Sequence, residues 1–599
     1  MDRLRRSIDD HFSGLSMAKM NRQLDAAVDA FAAQPNVTTV QVEQLRKVLE
    51  ADSSLAVAMN EAAKEGRLRA FTLDSGRDDP IGRTEIASGT MRLPPEAFSA
   101  SQGEEHASLN TALKLQEMSL RLGNSEYQDS AGRTVAVSQA MVDNLQHALA
   151  ASPLLLEKTA SAINARPHPH LKSFAILPEG QGMGAAYDGD AKTMLIPAGR
   201  LQAVSATNPH GFSLVSMVYT LAHETQHGFN YERKQEAWQQ FDAEVRQIAK
   251  DKNPINDYTR PVANIIQASR VDEAEGEIAG WNAVLSMKQK NDPSFGVAEM
   301  KKVAGSRAYL FVSANSSDQE PVERSGLTFN ADGSVTPSAQ SIEAMGKNYF
   351  DRSARKGQPD SAELVGLGPH KESNYPNYYG RNAIEQLITI DRKVARSVDG
   401  VEPQMHLNMA SLGLEERLIE RLGLHINPRP QERQPYYDSS QSPPALHHFD
   451  HTRTGPSANQ HVPIDLAIPA DGSMATGRGG LTPALQRHPD HGLYSQIATQ
   501  VRQQDQQHGR QWDETSERVT ASLLVLAKEN GLSQVDHVVF STNKERVAAG
   551  ENVFVVQGRR DDPAHLRAHM KTDEAVRTPE AASFEKVEAI NERMARQTA

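Results

Sequence analysis

Two histidines four residues apart, His223 and His227, enclose Glu224 in the stretch HETQH. On a helix, residues four apart share a face, so both imidazoles can aim a ring nitrogen at one cation. Tetrahedral zinc accepts two such nitrogens and still needs a third protein ligand and a water. Glu224, one step from His223, then lies beside that water and can take its proton during attack on a carbonyl. The chemistry this pattern points to is hydrolysis around one Zn2+ ion.

The surrounding residues supply the helix. Leu214, Val215, Val218, Leu221 and Ala222 recur at helical spacing, Ser213 is placed to cap the start, and Gly228 is the expected stop. A third ligand is expected downstream, in VDEAEGEIAGWNAVL (271–285), which offers Asp272, Glu273, Glu275 and Glu277. Gly276 and Gly280 leave room for this second helix to press against the first. HETQH followed by EAEGE resembles the glutamate zincins, with Gly276 where that family usually carries alanine. The resemblance implies a zinc metallopeptidase domain over 131–395, a mixed sheet plus the HExxH helix. It implies Glu273 as metal ligand and Glu277 as the partner that orients a histidine; Glu277 as the ligand is the alternative.

In such enzymes an edge strand before the metal helix binds substrate backbone. GQGMGAAYDGDAKTMLIP (180–197) fits that place, with Gly182 and Gly184 permitting close approach and Tyr187 facing the cleft. Tyr258, Tyr375, Tyr378, Tyr379 and Arg270 are candidates for stabilising the oxyanion.

Beyond the site, 599 residues suggest several domains. A net charge of −12 and the lack of a basic stripe argue against nucleic-acid binding. No apolar run reaches membrane-spanning length, and MDRLRRSIDDHF lacks the apolar core of a signal peptide. The absence of cysteine removes disulfides, thiolate ligands and a cysteine nucleophile.

Residues 1–130 read as an α+β region. Residues 68–94 align without a gap with 171–197, Leu68, Phe71, Thr90, Met91 and Pro94 meeting identical residues. The first region is therefore read as a degenerate repeat of the peptidase's N-terminal half, Gln116 and Glu117 standing where His223 and Glu224 fall. RAYLFVSA (307–314) reads as a strand, and 396–426 as a helical extension. The Pro-, Gly-, Ser- and Gln-rich tract 427–483 reads as a flexible linker, its HHFDH (447–451) mimicking a metal site.

Residues 484–599 form a small α+β module. HPDHGLY, LAKENGL, the strand VDHVVFS, its hairpin partner GENVFVVQG and a helix over DPAHLRAHM carry the likeness. They resemble the conserved C-terminal domain of type IV secretion effectors from xanthomonad-type bacteria, XVIPCD. That resemblance implies docking on the coupling ATPase of the secretion machine, export from the bacterial cytoplasm into a target cell, action in its periplasm, and a cognate immunity protein. The whole reads as an α+β multidomain antibacterial toxin that hydrolyses protein substrates. A non-enzymatic, zinc-stabilised binding protein is the alternative, and an amidase or endopeptidase acting on peptidoglycan peptides a second.

Overall fold

A computed structural model describes residues 19–598, apart from 75–79, 99–104, 130, 179–183, 206–207, 314–321, 352–366, 369–372, 396–401, 427–432, 451, 453–489, 509, 511–512, 543–547 and 559–565. The chain divides into two compact units, Met1–Val462 and Pro463–Ala599.

The first unit opens with helices Arg22–Ala32, Thr39–Ala51 and Ser53–Lys64. Asp52 ends the second and caps the third, accepting from Ser54 and Leu55 N–H groups, so one helical run in the sequence becomes two helices. Strands β1 (Ala70–Leu73), β2 (Arg83–Glu85) and β3 (Thr90–Leu93) follow, ordered β1-β3-β2. Helix Glu105–Gly123 and a hairpin of β4 (Glu126–Gln128) and β5 (Thr134–Ala136) lead to helices Gln139–Ala151 and Pro153–Asn164. Strands β6 (Ser173–Leu177), β7 (Ala186–Asp188) and β8 (Thr193–Pro197) then form a second sheet, ordered β6-β8-β7.

These two sheets have the same topology. β1 runs parallel to β3 as β6 does to β8, and β2 and β7 are each the antiparallel edge. Every paired position in the first sheet has its counterpart 103 residues further on in the second, as with Ala70↔Thr90 against Ser173↔Thr193.

Two long helices follow: Leu214–Lys250, called the metal helix for the candidate ligands it carries, and Thr259–Gln289, the acidic helix. Ser213 caps the metal helix as expected, but Gly228 does not stop it. A Cβ there would lie 3.3 Å from the Tyr187 ring and the His170 carbonyl, so the glycine serves close packing inside the helix. β9 (Ile255–Asp257) links the two helices. Arg307–Leu310 is 3-10 helix rather than the expected strand, which shrinks to β10 (Val312–Ser313) paired with β11 (Val322–Glu323). Ala308, Leu310 and Phe311 are buried while Tyr309 is exposed, a pattern without the strict alternation of a strand. The tyrosine helix, Tyr375–Val394, is capped by Asn374.

The metal and acidic helices span two cores. One packs Val218, Leu221, Ile278 and Trp281 against the second sheet's Phe174 and Met194. The other joins Phe241, Val245 and Ile265 to the tyrosine helix and to β12 (Gln404–Leu407), β13 (Gln434–Asp438) and β14 (Ala445–Phe449). The expected helical extension therefore belongs to this core. The expected linker is likewise corrected over 433–450, where β13 and β14 complete a sheet ordered β14-β13-β12-β9. Tyr436 and Asp438 are buried while Pro435 faces out, an alternation that the tract's Pro- and Ser-rich composition concealed. His447 and His448 sit within β14, and His447 Nδ1 lies 3.4 Å from Glu416 rather than in a metal cluster. Of the rest of the expected linker, 427–432, His451 and 453–483 lie outside the described residues.

The second unit packs helices His491–Gln507 and Glu514–Glu529 on an antiparallel sheet of β15 (His537–Phe540), β16 (Asn552–Gln557) and β17 (Leu566–Lys571). Val538, Val553, Val555, Leu523 and Leu524 form its core. LRAHM is strand β17, not the expected helix, with Ala568 buried and its neighbours Arg567 and His569 exposed. Helices Thr572–Arg577 and Glu580–Thr598 close the unit.

Candidate active site

The metal and acidic helices meet where each lacks bulk. A Cβ on Gly276 would lie 2.8 Å from the His223 ring, and one on Gly280 would lie 2.5 Å from the Tyr219 ring. Alanine at 276 would collide with the imidazole, which accounts for the departure from the zincin pattern. The close approach brings EAEGE against HETQH. His223 Nε2 lies 3.5 Å from Glu273 Oε2, and His227 Nε2 lies 4.0 Å from Glu273 Oε1. The ligand-capable atoms of His223, Glu224 and His227 lie within 4.8 Å of one another.

The outer ring nitrogens are held by carboxylates. His223 Nδ1 is 3.2 Å from Glu277 Oε1, and His227 Nδ1 is 2.8 Å from Asp272 Oδ1. Nδ1–H donation to these carboxylates fixes the tautomer in which a neutral ring presents its Nε2 lone pair to a cation. Glu277 is fixed in turn by the Tyr219 hydroxyl at 2.6 Å. Asp272 accepts from Asn230 at 2.9 Å and from Lys234 at 2.7 Å. The Tyr379 hydroxyl donates to Glu273.

Burial disfavours a charged imidazole, yet the Glu273 and Glu277 carboxylates hold His223 well above its ordinary range. Burial likewise opposes the charge on His227, and Asp272 outweighs it and raises that pKa. For Glu273 and Glu277 burial pushes upward, but the hydrogen bond from His223 leaves both lowered. Burial also works against the Asp272 carboxylate, and His227 with Lys234 still hold it below the usual carboxylate range. Glu224 is pushed up by its burial, toward the range in which a carboxylate can both accept and return a proton. No described residue donates it a hydrogen bond.

The donor set fits zinc. Zn–N bonds of about 2.0–2.1 Å in a tetrahedron put ligand atoms about 3.4 Å apart, close to the separations from Glu273 to the two imidazoles. Asp272, Glu273, Glu277 and Glu224 are at most 6% exposed. Four buried carboxylates outnumber Lys234 once the two imidazoles are neutral, and a dication would offset that excess of negative charge.

The site opens into a cavity of about 600 Å³. Gly184, Tyr187, Tyr375, Tyr378, Tyr379 and Arg307 stand on its wall. β7, with Tyr187, is the edge of its sheet, as expected of a substrate strand. Tyr187 donates its hydroxyl to the His170 carbonyl. Gly182 lies outside the described residues. Two of the candidate oxyanion residues are elsewhere. Tyr258 is 0% exposed, its hydroxyl bound to Asp391 in the second core, and it is corrected to a packing role. Arg270 pairs with Glu343 at 2.7 Å and Asp351 at 2.8 Å, bracing the turn Gly346–Phe350.

Sequence reasoning left Asp272, Tyr219, Lys234 and Arg307 without roles. Two carried a helical signal: Tyr219 precedes His223 by four residues and Lys234 follows His227 by seven; Asp272 adjoins Glu273, but adjacent residues on a helix do not share a face. Arg307 carried none, because its element was misread.

No curated protein matches the chain. Residues 485–589 match the family model described as X-Tfes, XVIPCD, so the second unit marks the chain as a type IV secretion effector.

Proposed function

We propose that the first unit is a zinc-dependent peptidase, and that the chain is a toxin injected by a type IV machine into rival bacteria, with an immunity protein protecting the producer. The observation that carries this is the convergence of His223 Nε2, His227 Nε2 and the Glu273 carboxylate on one point, with each histidine's Nδ1 held by a separate carboxylate.

His223, His227 and Glu273 would hold the ion. Zinc, when bound, polarises a carbonyl and lowers the pKa of a water. Glu224 takes the proton from the attacking water and delivers it to the leaving amine, a transfer its raised pKa suits. The free edge of β7 pairs with substrate backbone and lays the scissile bond across the site. Tyr378 lines the cavity and its hydroxyl has no partner among the described residues, so it is a donor available to the oxyanion. The Tyr379 hydroxyl is committed to Glu273.

The variant Glu224→Gln separates chemistry from metal binding. It should keep zinc, lose a factor of roughly 10² to 10⁴ in peptide hydrolysis and abolish killing. Undiminished toxicity of that variant would end the hydrolase reading.

A further inference from the structure

Beside the metal pocket the cavity wall carries positive charge that the reaction does not use. Arg307 lines the cavity, its guanidinium 4.1 Å above the Tyr219 ring. Its Nη1 is shut off from solvent and has no hydrogen-bond partner among the described residues. The Glu277 carboxylate attracts Arg307 but accepts none of its hydrogen bonds, and a buried guanidinium N–H without an acceptor is costly.

Arg307, Gly184 and Thr220 also wall a recess of about 20 Å³ that branches from the cavity. Arg200, Gly211, Ser213, Ser216 and Met217 complete its lining. Arg200 forms no ion pair with any described residue. Ser213 is the cap of the metal helix, so the recess also faces the positive end of that helix. The volume suits about one water-sized group, such as an oxygen of a carboxylate.

We infer that Arg307 and Arg200 form an anion subsite that receives a carboxylate of the peptide substrate beside the scissile bond. A planar guanidinium recognises a carboxylate through paired N–H donors, and the serine and threonine hydroxyls add further donors. The inference takes from the hydrolase reading only that the cavity admits substrate. The favoured substrates are then peptides with a free C-terminus or an acidic side chain next to the cut.

The test is equilibrium binding to full-length, zinc-loaded Glu224→Gln protein, which reads affinity without turnover. The probes are acetyl-Ala-Ala-Ala with a free carboxylate and its amide, and acetyl-Ala-Glu-Ala-amide and its Gln counterpart. At least one carboxylate probe should bind roughly tenfold or more tighter than its neutral partner, and which pair discriminates identifies the carboxylate's source. Arg307→Met and Arg200→Gln, each introduced on that background, should erase the preference while zinc content stays at one per chain. Arg307→Lys should keep part of it, since the charge remains and the fork is lost. Equal binding of charged and neutral probes, no binding of any, or a preference that survives both substitutions would overturn the inference. If Arg307→Met does not fold, Arg200→Gln decides alone. Discrimination by the Glu224→Gln protein without hydrolysis by the unaltered chain would sink the peptidase and spare the subsite; hydrolysis without discrimination would do the reverse.

Discussion

At the scale of single residues the site is a chain of dependencies. Each imidazole is useful only in the tautomer that its outer carboxylate imposes, so Asp272 matters to His227 as Glu277 does to His223. Asp272→Asn is expected to weaken zinc binding about 10- to 100-fold, because the amide can present its NH₂ to Nδ1 and release the tautomer. Competition with a chromophoric chelator measures this, and unchanged affinity would show that Asp272 only packs. The two histidines and Glu224 were legible from spacing alone. Glu273 and Glu277 were legible through resemblance. Asp272 was present in the same stretch, but nothing in one dimension distinguishes the acid that faces a ring from the acid that faces solvent. Glu275 makes the contrast, since it pairs not with a ring but with the half-exposed Arg233, at 2.6 Å.

At the scale of elements, the two long helices act as one clamp, and the glycines at their crossing set how deep it closes. The repeated sheets supply the frame. The constant register offset supports a duplicated unit in which only the second copy carries the HETQH motif. In the first copy Gln116 spends its amide on the Ile81 and Arg92 carbonyls, a structural use of the position that aligns with His223.

Asp52 shows how the first copy is held. It caps a helix and meets Lys114 at 2.7 Å. Burial opposes its charge, but the bonds from Lys114, Ser54 and Leu55 hold its pKa well below the ordinary carboxylate value. A lowered folded pKa adds stability above the unfolded value of about 3.9, and that stability is lost as pH falls through the folded pKa. Thermal unfolding between pH 7 and pH 2.5 should therefore show an acid-dependent loss that Asp52→Asn reduces. Asp52→Ala, which also removes the cap, should cost about 2 kcal/mol or more at pH 7. Identical pH profiles for the unaltered chain and Asp52→Asn would refute this role. Elements with clean periodicity were legible in the sequence. Those hidden were short strands inside unusual composition, β13 and β14 among prolines and serines, and β17, whose alternation sits in a helix-forming stretch.

At the scale of the whole molecule, the XVIPCD match and the HETQH cluster lie in separate compact units. Removing 463–599 should leave zinc stoichiometry and peptide hydrolysis unchanged within about twofold, while export falls below detection. A secretion assay beside an activity assay on the truncated chain checks both. Loss of hydrolysis in the truncated chain would show that the units depend on one another. The C-terminal unit was legible because blocks of sequence recur in order, and the family match over 485–589 agrees with that reading. The boundary of the first unit was not, because residues 433–450 look like linker and yet complete its second core.

X-ray absorption at the zinc edge, on the full-length chain and on Glu224→Gln, bears most directly on the central claim. Both should hold one zinc per chain with two imidazole nitrogens and carboxylate oxygen at about 2.0–2.2 Å, and substituting His223, His227 or Glu273 should disrupt that shell. A chain that retains no zinc, or keeps the same shell after both histidines become alanine, would contradict it.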